Sequence, residues 1–207
     1  MADAAFWDQR FAGAAYAYGE APNAFLASLA GTFERGQRAL VPGDGEGRNG
    51  VFLAELGLAV VTLDLSAEGV AKARRLAEAH GVRLDARQAD VLGWDWPVGV
   101  FDVIVLLYLH LSETERRFVH ARALAALKAG GRIVLEAFTP LQLERQQAGA
   151  RGGPRDDALL YRAEDLRADF AGAEIEMLQE VETDLCEGTL HVGPSAVVRM
   201  VARRVDH

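Results

Sequence analysis

The segment Gly43-Asp44-Gly45-Glu46-Gly47-Arg48-Asn49-Gly50 puts four glycines into eight residues. It lies between the apolar Ala39-Leu40-Val41 and the helix-like Val51-Phe52-Leu53-Ala54-Glu55-Leu56. That succession reads as a strand, a glycine turn and a helix start. Glycine adopts positive φ easily and lets backbone N–H groups approach a ligand, while the helix beyond offers unpaired donors and the positive end of its dipole. The segment therefore predicts an α/β unit with a place for a nucleotide-like cofactor.

The flanking sequence extends the same grammar. Ala59 to Asp64 is a β-branched run ending in an acid, and Ser66 caps a helix that carries Val70, Ala73, Leu76 and Ala77 on one face and stops at Gly81. Val82 to Ala89 is expected to be a strand ending at Asp90, and Phe101 to Tyr108 a strand buried on both faces. Ser112 and Glu115 form a capping box for a helix closed by Gly130-Gly131, and Arg132 to Phe138 follows as a strand. Thr139 to Leu159 is longer than most loops in compact domains, which predicts a lid. Ala163 to Phe170 is then a short helix. Glu174 to Thr183 and Ala196 to Arg204 are strands joined by Asp184 to Ser195, too short for a crossover helix, so they should pair antiparallel. The expectation is one α/β domain over 1–207, Rossmann-like, with a mostly parallel seven-stranded sheet ending in an antiparallel hairpin and helices on both faces.

Composition narrows the partners. With 207 residues, half of them hydrophobic, the chain can bury one full core. The net charge of −8, with arginines scattered, carries no electrostatic footprint for nucleic acid or an anionic membrane and favours a small-molecule substrate. A single cysteine, Cys186, excludes an internal disulfide framework and suits a cytoplasmic setting. The start Met1-Ala2-Asp3 lacks the basic stretch of a signal peptide, and no apolar run approaches the ~20 residues of a membrane span. The five histidines, His80, His110, His120, His191 and His207, show no metal-ligand spacing with one another or with Cys186.

The glycine turn admits two cofactors. Gly45-x-Gly47-x-x-Gly50 with Asp64 about twenty residues on satisfies the dinucleotide fingerprint, so an NAD(P)-dependent oxidoreductase is one alternative. No Tyr-x-x-x-Lys spacing occurs, however, and no second catalytic domain fits. A non-catalytic adenosyl-ligand binding protein is the alternative outside enzymology. The other register, Gly43-x-Gly45-x-Gly47, with acids after the second and third strands and a terminal hairpin, resembles the class I S-adenosylmethionine-dependent methyltransferases. Within them, Trp7-Asp8-Gln9-Arg10-Phe11, Tyr16-Ala17-Tyr18-Gly19, Pro22-Asn23, Glu136 to Pro140 and Glu187-Gly188-Thr189-Leu190-His191 are similar to the small bacterial enzymes of the tellurite-resistance type. The thiopurine S-methyltransferases are more distant in pattern.

The resemblance implies S-adenosyl-L-methionine as cofactor, S-adenosyl-L-homocysteine as product and a small-molecule acceptor, preferably a thiol, selenium or tellurium nucleophile. It also implies a monomer or weak homodimer. Gly43, Asp44, Gly45 and Gly47 would line the methionine and ribose portions, with Arg48 and Asn49 behind them. Asp64 would take the ribose hydroxyls, Leu65 and Ser66 border the adenine, Asp90 and Val91 read its amino group, and Leu107 lie under the sulfonium. Many class I enzymes carry an acid where this chain has Val41, so the cofactor's amino group is expected to meet another acid or backbone carbonyls. Residues 1–35 would form an arm folded over the cofactor, bringing Trp7 and Tyr18 to it. His110, past the central strand, and His191, in the late connection, are the candidate catalytic bases. Arg145, Arg151 and Arg155 in the lid are candidates for holding an anionic substrate.

Overall fold

The computed structural model describes residues 3–205. Seven strands, β1 (Arg38–Pro42), β2 (Ala59–Asp64), β3 (Asp85–Gln88), β4 (Phe101–Leu107), β5 (Leu127–Phe138), β6 (Ala173–Glu187) and β7 (His191–Arg204), form one sheet in the order β3-β2-β1-β4-β5-β7-β6. The first five run parallel, and β7 pairs antiparallel with both β5 and β6. The helices are α1 (Ala4–Phe11), α2 (Ala24–Ser28), α3 (Arg48–Glu55), α4 (Ala67–Ala79), α5 (Glu113–Ala126), α6 (Gln142–Gln147) and α7 (Ala163–Asp169). This is the expected class I architecture.

The central strands are apolar throughout because both faces are covered, and their residues sort by parity. Leu40, Ile104, Leu106, Ile133 and Leu135 join one core with Val119 and Ala123 of α5 and Leu166 of α7. Ala39, Val41, Val103, Val105 and Val134 join the other with Leu53 of α3 and Phe25 and Leu26 of α2. The order reverses between β1 and β4, and in open α/β sheets that switch point opens a crevice beyond the carboxyl ends of the strands.

Local signals hold where they are strongest. β2 has the expected bounds, Ser66 caps α4 by accepting from the Gly69 N–H, and Ser112 and Glu115 form their capping box.

Four expectations are corrected. Only Asp85–Gln88 of the 82–89 stretch is strand, because the Val82 N–H turns back to the Ala77 carbonyl to close α4. Helix α5 stops at Ala126, short of Gly130-Gly131. Phe101 pairs with Leu127 and Val103 with Arg132, so Lys128 to Gly131 bulges out of β5. The central strand ends at Leu107, since Tyr108 takes a left-handed φ of 53°. The presumed connection Asp184 to Ser195 is mostly ladder, pairing from Thr183 with Ser195 to Glu187 with His191 around Gly188-Thr189-Leu190. Gly193 and Pro194 disguise it, but they lie beyond Phe138, where β7 has lost its β5 neighbour and strand breakers are tolerated. The 139–159 segment is itself partly ordered, by α6 and a 3-10 turn at 157–159.

Candidate active site

The turn after β1 is suspended from β2. Gly43 and Asp44 donate to the Leu63 carbonyl, and the Gly45 N–H donates to Asp64 Oδ2 at 2.7 Å. Asp64 Oδ1 accepts from the Ser66 N–H at 2.9 Å. Each carboxylate oxygen spends one lone pair on backbone and keeps another, and Asp64 faces the cavity described below. Burial pushes Asp64 above its ordinary value, against the two N–H bonds. At Gly47, with φ of 92°, a Cβ would stand 2.5 Å from that of Ala73, so this glycine lets α3 pack on α4. Gly47 has no side chain with which to cap α3, and Asp44 substitutes by accepting from the Gly50 N–H at 3.1 Å. The other Asp44 oxygen is buried without a partner, and burial raises the carboxyl to about 8.

The amino-terminal arm is fixed by buried polar contacts. Glu46 accepts from the Ala17 N–H and pairs with Lys72 at 2.7 Å, and Lys72 also donates to the Ala15 carbonyl. Ser66 donates to Asp8, tying α1 to the start of α4. Trp7 stacks on Phe11 at 5.7 Å, and the Phe11 ring stands edge-on to Tyr18 at 6.3 Å. At Gly188 a Cβ would fall 2.4 Å from the Ala17 carbonyl oxygen, so the hairpin turn and the arm meet backbone to backbone.

Asn23 links the arm to the sheet. Its side-chain amide donates to Glu136 Oε1 at 2.6 Å and to Glu187 Oε1 at 3.2 Å, and its Oδ1 caps α2 at the Leu26 N–H. Glu136, fully buried, also accepts from the Tyr108 hydroxyl at 2.6 Å and pairs with Arg199 at 2.5 Å. Glu187 pairs with Arg48 at 2.7 Å and hydrogen-bonds His191 Nδ1 at 3.1 Å. Burial lowers the His191 pKa below its ordinary value, although Glu187 pulls it upward. The Nε2 edge of His191 makes no hydrogen bond among the described residues, and the ring lies between Tyr18 and Tyr108 at 4.5 and 4.4 Å.

His110 is not arranged as a base. Its Nδ1 donates to the Leu159 carbonyl at 2.7 Å, and its Nε2 accepts from the Phe138 N–H at 3.3 Å. Both nitrogens are spent on joining β5 to the segment above it, and burial depresses the imidazole to about 4. The unfolded chain protonates this histidine first, so stability should fall as pH drops from about 6.5 towards 4, by on the order of 3 kcal/mol from this group. His110→Gln can keep both hydrogen bonds without titrating. Urea unfolding between pH 7 and 4.5 should therefore show a shallower acid slope in the variant, and equal slopes would refute this role.

One cavity of about 530 Å³ collects most of the expected site. Trp7 and Tyr18 line it from the arm, Gly43, Asp44, Gly45, Arg48 and Asn49 from the turn, and Asp64, Leu65, Asp90, Val91 and Leu107 from the strand ends. His110 and His191 reach its other end. Gly47 and Ser66 are not among its lining residues. The first packs on Ala73, and the hydroxyl of the second is committed to Asp8 and the Gly69 N–H. Arg145 pairs with Glu182 instead of facing the cavity. Among the described residues no three His, Cys, Asp or Glu side chains converge as a metal site, and His207 lies outside those residues. The buried network through Asn23, Glu136 and Glu187 is what sequence reasoning missed. Its members stand in the sequence only as separate motifs, Pro22-Asn23, Glu136 to Pro140 and Glu187 to His191.

A family model described as a methyltransferase domain matches residues 39–131, from the strand before the glycine turn to β5. The magnesium protoporphyrin IX methyltransferase of Synechocystis PCC 6803, solved with bound S-adenosylhomocysteine, superposes with a TM-score of 0.67 at 19% identity over 87% of this chain and 80% of that one. The chain carries a methyltransferase domain over residues 39–131 on the class I methyltransferase fold. Over a 114-residue alignment covering 51% of this chain, the sequence is 38% identical to the ribosomal RNA small subunit methyltransferase C of Chromohalobacter salexigens, but it spans only about a third (33%) of that protein. A structure solved in work on the conversion of a disulfide bond into a thioacetal group during echinomycin biosynthesis is 25% identical. It covers 98% of this chain and 90% of its own, with a TM-score of 0.78.

The residues fit the cofactor. The left-handed glycines leave a cradle that a Cβ would fill, at Gly45 against the Phe11 ring at 3.1 Å, and Asp64 offers free lone pairs beside it.

Proposed function

We propose that this protein transfers a methyl group from S-adenosylmethionine to a small-molecule acceptor with a soft nucleophile, such as a thiol or a selenium or tellurium species. The observation that carries the proposal is that a single cavity has a glycine turn with Asp64 at one end and a histidine backed by a carboxylate at the other. S-adenosylmethionine supplies an electrophilic methyl group on a sulfonium. Asp64 would hold the ribose hydroxyls, Leu65 and Val91 flank the adenine, and Asp90 reads its amino group. Trp7, Phe11 and Tyr18 exclude water around the positive charge.

The acceptor lies against Tyr108, Phe138 and His191, with residues 150–155 as its roof. The 139–159 segment thus serves as a lid. His191 Nε2 accepts the acceptor's proton where one must leave, and Glu187 holds the Nδ1 proton in place. Positioning and a dry pocket supply the rest of the acceleration. The similarity to a structure solved in work on the conversion of a disulfide bond into a thioacetal group supports a sulfur acceptor. The net charge of −8 supports a small molecule over RNA, the substrate class in the name of the Chromohalobacter relative.

Calorimetric titration with S-adenosylmethionine, S-adenosylhomocysteine, NADH and NADPH tests the donor. Micromolar-range binding of the adenosyl compounds alone, roughly −8 kcal/mol, is expected, and binding of only a nicotinamide would overturn the proposal. In the same assay Asp64→Ala should weaken S-adenosylhomocysteine binding by about 1–3 kcal/mol, since a ribose hydroxyl pair loses its acceptor. Unchanged affinity would remove Asp64 from the site.

A further inference from the structure

Charge is distributed unevenly around the cavity. Asp64 and Asp90 face it from the strand ends and Arg10 and Arg48 from the arm and α3, whereas the ionisable residues contributed by the roof are Arg151 and Arg155, both basic. These two arginines have no carboxylate partner among the described residues. The acids that follow them are engaged elsewhere, Asp156 with the Ala158 N–H and Asp157 with Arg162. At the same end, the Glu187 charge is already met by Arg48, and Glu187 also accepts the His191 N–H.

The loop that carries the arginines is built rather than loose. Gln146 Nε2 donates to the carbonyls of Gly152, Gly153 and Pro154 at 2.7, 3.1 and 3.2 Å, and Gln142 Nε2 donates to Gly152 at 3.1 Å. Arg151 and Val192 exchange backbone hydrogen bonds at 2.8 and 2.9 Å. Gly152 and Gly153 lie so close to the Phe138 ring that a Cβ at either would come within 2.8–2.9 Å of it. Two exposed arginines are thus carried at the rim of the acceptor end on a backbone pinned on three sides, with no carboxylate paired to them among the described residues.

We infer that the acceptor carries a carboxylate, which Arg151 and Arg155 bind while its nucleophile faces His191. The inference rests on the methyltransferase reading and adds the acceptor's charge to it. A planar guanidinium matches a carboxylate bidentately, and such charge-assisted pairs give orientation as well as affinity. Anchoring the acceptor from the roof directs its other end down towards the Tyr108, Phe138 and His191 floor.

The test uses the protein saturated with S-adenosylhomocysteine and three small thiols that differ in charge: 3-mercaptopropionate, 2-mercaptoethanol and cysteamine. Binding is read by ligand-observed NMR, which detects weak association. The expected result is about tenfold or tighter binding of 3-mercaptopropionate than of the other two, weakening as salt is raised. In the double variant R151Q/R155Q, two exposed positions, the preference should collapse to within about threefold while S-adenosylhomocysteine affinity stays unchanged. Equal binding of the three thiols, or a preference that survives in the variant, would overturn the inference. A loss of S-adenosylhomocysteine affinity in the variant would also overturn it, by assigning the arginines to the donor's own carboxylate. Failure of the unaltered protein to bind S-adenosylhomocysteine would instead bring down the methyltransferase reading, and this inference with it.

Discussion

His191→Ala is expected to lower kcat by about 10²–10⁴ for an acceptor whose proton must be removed, and to leave S-adenosylhomocysteine affinity intact. The imidazole is 6% exposed, lines the cavity, and donates its Nδ1–H to Glu187, which sets the tautomer and leaves Nε2 without a hydrogen bond among the described residues. Burial raises the Glu187 carboxyl, but the His191 hydrogen bond and the Arg48 charge outweigh that and hold it below its ordinary range. Glu187 therefore orients the imidazole without taking its proton. Burial also keeps His191 below its ordinary pKa, so the base form is populated at neutral pH. Activity should fall with acidification only below about pH 6.5, the ordinary histidine value, and the His191→Ala variant should lose that limb. A series of thiols of increasing pKa separates base catalysis from packing. A thiol already ionised in solution should lose little in the variant, and one of high pKa should lose most. A uniform loss across the series, accompanied by weaker S-adenosylhomocysteine binding, would return His191 to a structural role.

Much of this was legible because its signals are local. The bounds of β2, the Ser66 cap and the Ser112 and Glu115 box each depend on residues within one element. The glycine turn announced itself by composition, and the structure brings Asp64 to it through the Gly45 N–H. The Glu187 and His191 pair was one step further away. The two residues face each other in the hairpin register, and treating Asp184 to Ser195 as a connection hid that pairing. His110 shows the opposite failure. Its place past the central strand suggests a base, but its partners, Leu159 and Phe138, are 49 and 28 residues away and are delivered only by the fold, the first by the 139–159 segment and the second by the end of β5. Ser66 failed as a cofactor contact because its capping signal was genuine and consumes the hydroxyl. The arm motifs around Tyr18 and Asn23, the acid of β5 and the hairpin motif were noticed separately. No local pattern states that they form a single network, since Asn23 meets Glu136 across 113 residues and Glu187 across 164.

That network makes Glu136→Ala the most destabilising single change expected in the molecule. Glu136 sits in β5 directly across from Arg199 of β7, and its two oxygens serve Tyr108, Asn23 and the Arg199 guanidinium. Truncation leaves a largely buried cation and two buried donors without an acceptor, which costs about 3–5 kcal/mol. For a domain of this size that corresponds to a Tm lower by roughly 6–20 °C. Thermal and urea unfolding measure it directly. The loss comes from an uncompensated charge more than from a cavity, so E136L/R199M, which removes both charges and fills the space, should recover a substantial part of it. If the double variant is no more stable than Glu136→Ala, packing and not pairing governs the site. The consequence reaches the cavity as well. Tyr108 holds a left-handed φ of 53°, a conformation that costs on the order of 1–3 kcal/mol, and its hydroxyl is anchored by Glu136. Without that anchor Tyr108 is free to relax away from His191, against which its ring packs at 4.4 Å. Turnover of Glu136→Ala should therefore fall even at temperatures where the variant remains folded.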